Sequence, residues 1–297
     1  MQWVAKENQT VFVKKNLIQV VAVHGITLGI APFLYTPGAL QLALGATAVF
    51  GYSMGIFHHM YLTHSSFRAH PWVAKLGSLL GTLTWRGPFA APIRYVAMHR
   101  IHHRYSDTEL DPHTPTKGLF HSLLGWFWRM PYGFTRPEIY ERVATKIARD
   151  GWLRFLDRNV DLLQLGWGLL CFAAGALTPW LGGGSMDWVN GVRFAVYGVF
   201  VKTFLLIYGS NAVDVINHGL GYRNYETNEL STNSFLMAAI HLGGAISWHN
   251  NHHAHPRYFS VKRKWWEFDV HLLFLRGLER LSLVSDIKIL DESTERA

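Results

Sequence analysis

Residues 39–64 read ALQLALGATAVFGYSMGIFHHMYLTH, an uncharged apolar run that passes directly into two spaced histidines, His59 and His64. The part over 39–57 is close to the ~20 residues that a helix needs to cross a bilayer. Neutral imidazole is the commonest protein ligand for transition metals. A span that ends in histidines therefore sets a candidate metal site at a membrane edge. Two more clusters repeat the signal, His99-Arg-Ile-His102-His103 and His249-Asn-Asn-His252-His253. Eight imidazoles are more than one zinc site can use.

Working outward, three further apolar runs cover 17–35, 162–181 and 192–213. The first two runs are separated only by Thr36-Pro37-Gly38, a turn signal, and form a helical hairpin. The last two are joined by a Gly-rich loop, 182–191, uncharged apart from Asp187. The fold class read from this is an all-α integral membrane protein, a single domain over 1–297. It has four transmembrane helices (17–35, 39–57, 162–181, 192–213) and a cytosolic helical cap from 58–161 and 214–297. Composition agrees: 16% of residues are charged and 49% hydrophobic, against ~25% charged in ordinary soluble domains.

Charge sets the orientation. Lys6, Lys14 and Lys15 precede the first run, and at least a dozen Lys and Arg lie between the second and third. The short outer connections carry neither, so both termini and all three histidine clusters are expected in the cytosol, with a bacterial inner membrane as the expected location. The N-terminal run has no small-residue cleavage site and reads as an anchor. A net charge of +8 without a basic stripe or nucleic-acid motif points to lipid phosphate and to no nucleic acid. The single cysteine, Cys171, excludes an intrachain disulfide or thiolate cluster and reads as a small buried hydrophobe.

Spacing limits what each cluster can do. In His-x-x-His-His the first residue has helical neighbours three and four positions on, so the rings share nearly one face. That suits one metal, or two a few ångströms apart. In an α-helix His64 would be rotated about 140° from His59, so this pair needs a bent helix end or serves different sides of the site. Asp214-Val-Ile-Asn-His218 adds an ionisable pair one turn apart at the end of an apolar helix, a default functional suspect. His24 and His271, each alone, read as satisfied core histidines.

The ordered boxes resemble those of the membrane fatty acid desaturases, in particular the acyl-CoA delta-9 (stearoyl-CoA) branch. Ser106-Asp107, Asp111-Pro112-His113, Gly125-Trp126, Gly221-Tyr222-Arg223 and Trp248-His249-Asn250 add to the match, which runs from about 40 to 285. The resemblance implies two irons (Fe2+) on nine histidines: His59, His64, His99, His102, His103, His218, His249, His252 and His253. Asp214 stands where the family usually carries an asparagine that approaches one iron through water, and a carboxylate there could bind iron directly. Ala97 and Met98 stand where animal acyl-CoA members carry an Arg-Asp pair that grips coenzyme A. Arg94 or Arg100 could contact a phosphate instead.

An unactivated methylene C–H bond is beyond side-chain acid–base chemistry, and the implied irons supply it with O2. Asp107 and Asp111 are candidates to orient imidazoles. Trp85, Trp126 and Trp248 lie nearest the motifs, with none assigned to an acyl tunnel. The chain has no dinucleotide fingerprint, cysteine cluster or His-Pro-Gly-Gly haem segment, so a ferredoxin, rubredoxin or cytochrome is the implied electron donor. Lys262, Arg263 and Lys264 could help dock it, and the amphipathic tail 269–290 packs on the cap or lies on the membrane.

The function read from this is O2-dependent desaturation of a fatty acyl chain at delta-9, carried as a CoA or acyl-carrier-protein thioester or on a membrane lipid. The alternatives are an acetylenase, hydroxylase or decarboxylase. A non-enzymatic membrane metal carrier fits less well, since ligands on one side form no relay through the bilayer.

Overall fold

A computed structural model describes residues 6–85 and 90–291. The helices that position the site are α1 (Lys14–Gly29), α2 (Pro37–Thr63), α3 (Pro71–Thr82), α4 (Pro92–Tyr105), α5 (Val160–Leu181), α6 (Trp188–Asn217), α7 (Phe235–His241), α8 (His249–Ala254) and α9 (Val270–Arg280). Two short antiparallel pairs tie the ends of the chain to them. β1 (Thr10–Phe12) pairs with β3 (Arg129–Pro131), and β2 (Arg68–Ala69) pairs with β4 (Val284–Ser285).

Local chemistry starts these helices where they start. Thr36 Oγ1 accepts from Ala39 N at 3.2 Å and Pro37 follows it, so α2 begins with a capped first turn. Asp187 accepts from Val189 N and Asn190 N at the start of α6. Asp269 accepts from Leu272 N at the start of α9. Asp157, remote in sequence, caps α4 through Ile93 N (2.9 Å) and Arg94 N (3.1 Å).

Among the described residues, three helices, α2, α5 and α6, are long and apolar enough to cross a membrane. Leu162, Leu165, Leu169 and Leu170 on α5 are each at least 60% exposed, a contiguous apolar surface of the kind that meets lipid. The first expected span differs. Helix α1 ends at Gly29 after 16 residues, and a 3-10 turn with Pro32 at its start covers Ala31–Leu34. Proline has no N–H to continue the helical ladder, which accounts for the break.

The end of α2 is not α-helical. Met54–Thr63 forms a π-helix, closed beyond its last residue by His64 N donating to His59 O at 3.3 Å. Helix α3 lies against this segment at backbone distance. A Cβ at Gly77 would come within 2.3 Å of the Phe57 ring, and one at Gly81 within 2.8 Å of His58 Nε2. Helix α4 belongs to one core with Trp126, Phe127 and Phe134, whereas Trp248, Phe259 and Leu275 form a second core with Ile56 and Met60 of α2. The histidine-bearing faces meet between these cores.

Residues singled out as structural are satisfied. His24 Nδ1 lies 2.7 Å from Val20 O and its Nε2 2.9 Å from Tyr208 Oη. His271 Nε2 lies 2.8 Å from His241 O. Cys171 is buried against Gly198, a free thiol. In the tail, His271 and Leu275 of α9 are buried, while Leu273 and Phe274 stay exposed.

Candidate metal centre

The histidines singled out in sequence sort into two groups in space. His59, His64, His99, His103 and His252 form one, and His102, His218, His249 and His253 form the other; within each group the ligand atoms lie within 4.8 Å of one another. Each His-x-x-His-His box is split between them. The i, i+4 pair His99 and His103 faces the first group and His102 the second, whereas His249 and His253 face the second and His252 the first. One helix turn thus feeds two sites, and His103 and His253, with ring centroids 4.4 Å apart, stand side by side between them.

The π-turn explains the one spacing that α-helical geometry does not serve. Bonding from i to i+5 returns the chain to the same face after five residues. His59 and His64 accordingly join the same group, with ring centroids 4.9 Å apart.

The donor atoms fit a metal. Nε2–Nε2 separations are 3.0 Å for His59–His252, 3.1 Å for His64–His99, 2.9 Å for His99–His103 and 3.2 Å for His103–His252. In the second group they are 3.2 Å for His218–His249 and 3.1 Å for His249–His253. Nitrogens at ~2.1 Å from one ion and at right angles to each other stand ~3.0 Å apart. As hydrogen bonds alone these contacts fail, because one ring nitrogen cannot serve two neighbours with one proton or one lone pair. His102 Nε2 is buried with no partner among the described residues.

Carboxylates fix the outer ring nitrogens. His102 Nδ1 pairs with Asp111 Oδ2 at 3.0 Å, and His218 Nδ1 with Asp107 Oδ2 at 2.8 Å. Glu229 Oε2 lies 3.7 Å from His253 Nδ1. The two hydrogen bonds, from Nδ1 of His102 and His218, leave Nε2 as the atom that faces inward, the arrangement a metal needs. Asp107 sits at φ 61°, a left-handed conformation that aspartate tolerates better than most residues. It also accepts from Leu230 N at 2.8 Å. Asp214 is a member of neither histidine group. Its Oδ2 lies 3.3 Å from His113 Nδ1, and His113 lies 3.8 Å from Asp111.

The third box is held from behind. Asn251 donates to buried Glu267 at 2.9 Å, and Tyr222 Oη donates to the same carboxylate at 2.6 Å. Asn250 Oδ1 accepts from Asn224 N and Tyr225 N. The Tyr222 and Asn250 motifs therefore position α8.

Burial, and then neighbouring histidines, push His64, His99, His103, His249, His252 and His253 well below the usual imidazole range. They stay neutral, as ligands must. His102 goes the other way: burial opposes its charge, but the Asp111 carboxylate outweighs that and raises it to about 9.

These shifts set a pH dependence for the metal-free protein. The six lowered histidines add stability above the unfolded value of ~6.5 and lose it on acidification, by about 1.4 kcal/mol per pH unit per extra proton bound on unfolding. His102 has the opposite sign, stabilising below ~6.5 and losing that as pH rises through 9. The six outnumber it. Thermal unfolding in detergent should show a lower midpoint at pH 5.5 than at pH 7.5, and an unchanged midpoint would contradict these environments.

Sequence reading missed three residues at the centre. Tyr95 stacks on His99 with ring centroids 5.7 Å apart at 14°, and its i, i+4 spacing on α4 was an available signal. His113 lay in a quoted motif without a role. Glu229 comes from a loop with no spacing signal at all. Trp85, Trp126 and Trp248 do not line the cavity beside the histidines.

The fatty acid desaturase family model matches residues 32–270. An sn-1 stearoyl-lipid 9-desaturase from Anabaena variabilis is 32% identical over 89% of this chain and 85% of its own. An acyl-CoA 5-desaturase from Anemone leveillei is 29% identical over 99% of this chain and 84% of its own. A hex-5-enoyl-[acyl-carrier protein] acetylenase from Moorena producens is 29% identical over 84% of this chain and 76% of its own.

Proposed function

The chain belongs to the fatty acid desaturase family and is a fatty acyl desaturase, and from that premise we propose that it desaturates acyl chains of membrane lipids at a di-iron site. The observation that carries this is a cavity of about 410 Å³. It runs from Leu44 and Leu205, on the membrane helices α2 and α6, to His59, His99 and His249. An apolar slot thus ends on members of both histidine groups.

The nine histidines would hold two irons, an ion that imidazole suits. Bound there, the irons would supply the O2 chemistry that removes hydrogen from two adjacent carbons. The chain's own residues do the rest. Asp111 and Asp107 keep His102 and His218 in one tautomer. Leu205, Leu206 and Val213 exclude water from the acyl chain, and Tyr95 fixes the ring plane of His99.

Asp214 and His113 line the same cavity, and the reading gives Asp214 the task of holding His113. Asp214→Asn keeps a side-chain oxygen at the position that lies 3.3 Å from His113 Nδ1, so the variant should keep its metal and most of its product. Metal loss on that change alone would make Asp214 a ligand.

A lipid-borne chain is favoured over a coenzyme A thioester because Ala97 and Met98 are 0% and 1% exposed and present nothing to a carrier. Arg100 donates to Val143 O. The Anabaena relative's name supports the same choice. Expression in a desaturation-deficient host, followed by mass analysis of lipids and thioesters, tests it. Loss of two hydrogens in the lipid fraction is expected. Gain of oxygen, loss of the carboxyl carbon, or product confined to thioesters overturns it. The acetylenase reading is kept alive by the Moorena relative and is marked by hydrogen loss from an already unsaturated chain.

The membrane reading retains four spans. Helix α1 contributes about 24 Å and its 3-10 extension about 8 Å, enough for a ~30 Å hydrocarbon layer. Exposed Ile18, Val21, Leu28 and Phe33 suit lipid contact along that length. The Lys and Arg bias supports a cytosolic site and cytosolic termini, with the bacterial inner membrane as the proposed location.

Electrons come from an external ferredoxin, rubredoxin or cytochrome. A groove of about 940 Å³ beside Tyr61 and Ser65, which flank His64, is lined by Arg68, Arg100, Lys146 and Lys288 against two carboxylates, Asp150 and Asp286, the second paired with Arg68 at 3.0 Å. Its cations suit an acidic carrier; Lys262, Arg263 and Lys264 are also exposed. Lys146→Glu should raise the KM for the reduced carrier roughly threefold at low salt, with the effect fading at high salt. A salt-independent or absent change would place docking elsewhere.

A further inference from the structure

A second, larger slot lies away from the histidines. A groove of about 850 Å³ has α1 on one wall (Ile18, Ala22), α5 on the other (Leu165, Phe172) and α6 as its floor (Ala195, Val199). At its upper end it meets a polar pocket of about 170 Å³ lined by Lys15, Arg94 and Arg158 together with Asp157 and Asp161. Gln19 and Asp161 line both, so the two are continuous.

An ion pair joins the two walls where the polar pocket begins. Lys15 Nζ lies 2.6 Å from Asp161 Oδ2, which joins the first turns of α1 and α5. Below that bridge the groove is apolar except for Gln19, Gln164, Thr203 and the Trp85 edge. Gln164 is already engaged, donating to Thr82 O at 3.0 Å.

We propose that this combined slot is a binding site for an anionic diacyl phospholipid of the bilayer, distinct from the substrate cavity. Its acyl chains fill the space between α1 and α5, and its phosphate meets Arg94, Arg158 and Lys15. The proposal rests on the bilayer placement of α5 and α6 and not on the oxidation chemistry.

The charges are arranged for this. Asp157 is spent on the N-terminus of α4 and on Tyr140, which donates to it at 2.7 Å. Asp161 is matched by Lys15. Arg158, 63% exposed at the side chain and 3.8 Å from Glu141, can turn towards a phosphate, and Arg94 lines the pocket with its guanidinium carbon 5.3 Å from the Tyr140 ring centroid. Arginine pairs with phosphate oxygens in a planar, bidentate way. A neutral or zwitterionic headgroup leaves those cations less well matched.

The test uses the full-length protein purified in mild detergent, with native mass spectrometry as the readout. One bound phospholipid per chain is expected. Exchange with dioleoylphosphatidylglycerol should be preferred over dioleoylphosphatidylcholine. Arg94→Gln with Arg158→Gln should weaken phosphatidylglycerol binding about tenfold, the scale of losing a hydrogen bond to a charged group, and erase the preference. Ala22→Phe with Ala195→Phe fills the groove and should remove the bound lipid while the protein remains folded and loaded with metal. Absence of bound lipid, indifference of binding to the groove-filling pair, equal retention of the two phospholipids, or a dimer that buries the groove each overturns the proposal. Product formation is measured separately, so failure of the lipid site is distinguishable from failure of the desaturase reading.

Discussion

His252→Ala is expected to abolish product while leaving the chain folded in the membrane. His252 is 0% exposed on α8, with its Nε2 at 3.0 Å from that of His59 and 3.2 Å from that of His103. It is therefore a hub of the five-histidine group, contributed by a helix remote from the other four. Altering outer partners of metal ligands already costs 10–100-fold, so loss of a central ligand should exceed about a hundredfold. Stability points the other way. His252 Nδ1 is buried without a partner among the described residues, and truncation removes a ring that burial and neighbouring histidines hold neutral. The metal-free variant should unfold no more easily than the metal-free parent. Metal analysis and product mass on the same preparation check both halves. His58→Gln supplies the contrast: His58 is adjacent to His59, but its Nε2 lies 3.0 Å from Ser78 O and it belongs to neither group. Metal retention in His252→Ala with full activity would remove that residue from the site.

How far the sequence carries depends on whether the signal is local. The boxes of α4 and α8 were legible because a helix repeats its faces every three or four residues, so ligand spacing and secondary structure state the same fact. His218 and Asp214 were visible by the same rule. The His59–His64 spacing was legible as a problem and not as its answer. An α-helix separates the two rings, and nothing in Phe57-His58-His59-Met60 announces the π-turn that reunites them. Packing of Gly77 and Gly81 of α3 against that turn is a tertiary fact. Glu229 is harder still, because it reaches His253 and His218 from a loop fixed by contacts such as Asp107 with Leu230, 123 residues apart. Apolar runs likewise gave α2, α5 and α6 but not the end of α1 at Gly29, where hydropathy continues and Pro32 interrupts the ladder.

Gly209→Phe should separate the acyl slot from the metal site. Gly209 lines the 410 Å³ cavity, and a Cβ built on it meets nothing within 4 Å, so an added side chain enters open space. A phenyl ring there occupies the volume an acyl chain needs between α2 and α6, nine residues before His218, the nearest proposed histidine ligand in sequence. The His241 contact to Gly209, Nε2 to O at 3.1 Å, uses the backbone and survives the change. The expected result is full metal content with product from long acyl chains falling about a hundredfold, the scale set by misplacing a reacting group by an ångström or so. Shorter chains that stop before position 209 should lose less, so the ratio of short-chain to long-chain product rises. That ratio is the decisive measurement. Equal loss for all chain lengths would mean the ring disturbs the histidines, and metal analysis would show it. Unchanged long-chain product with metal in place would show that the acyl chain takes another route to His59, His99 and His249.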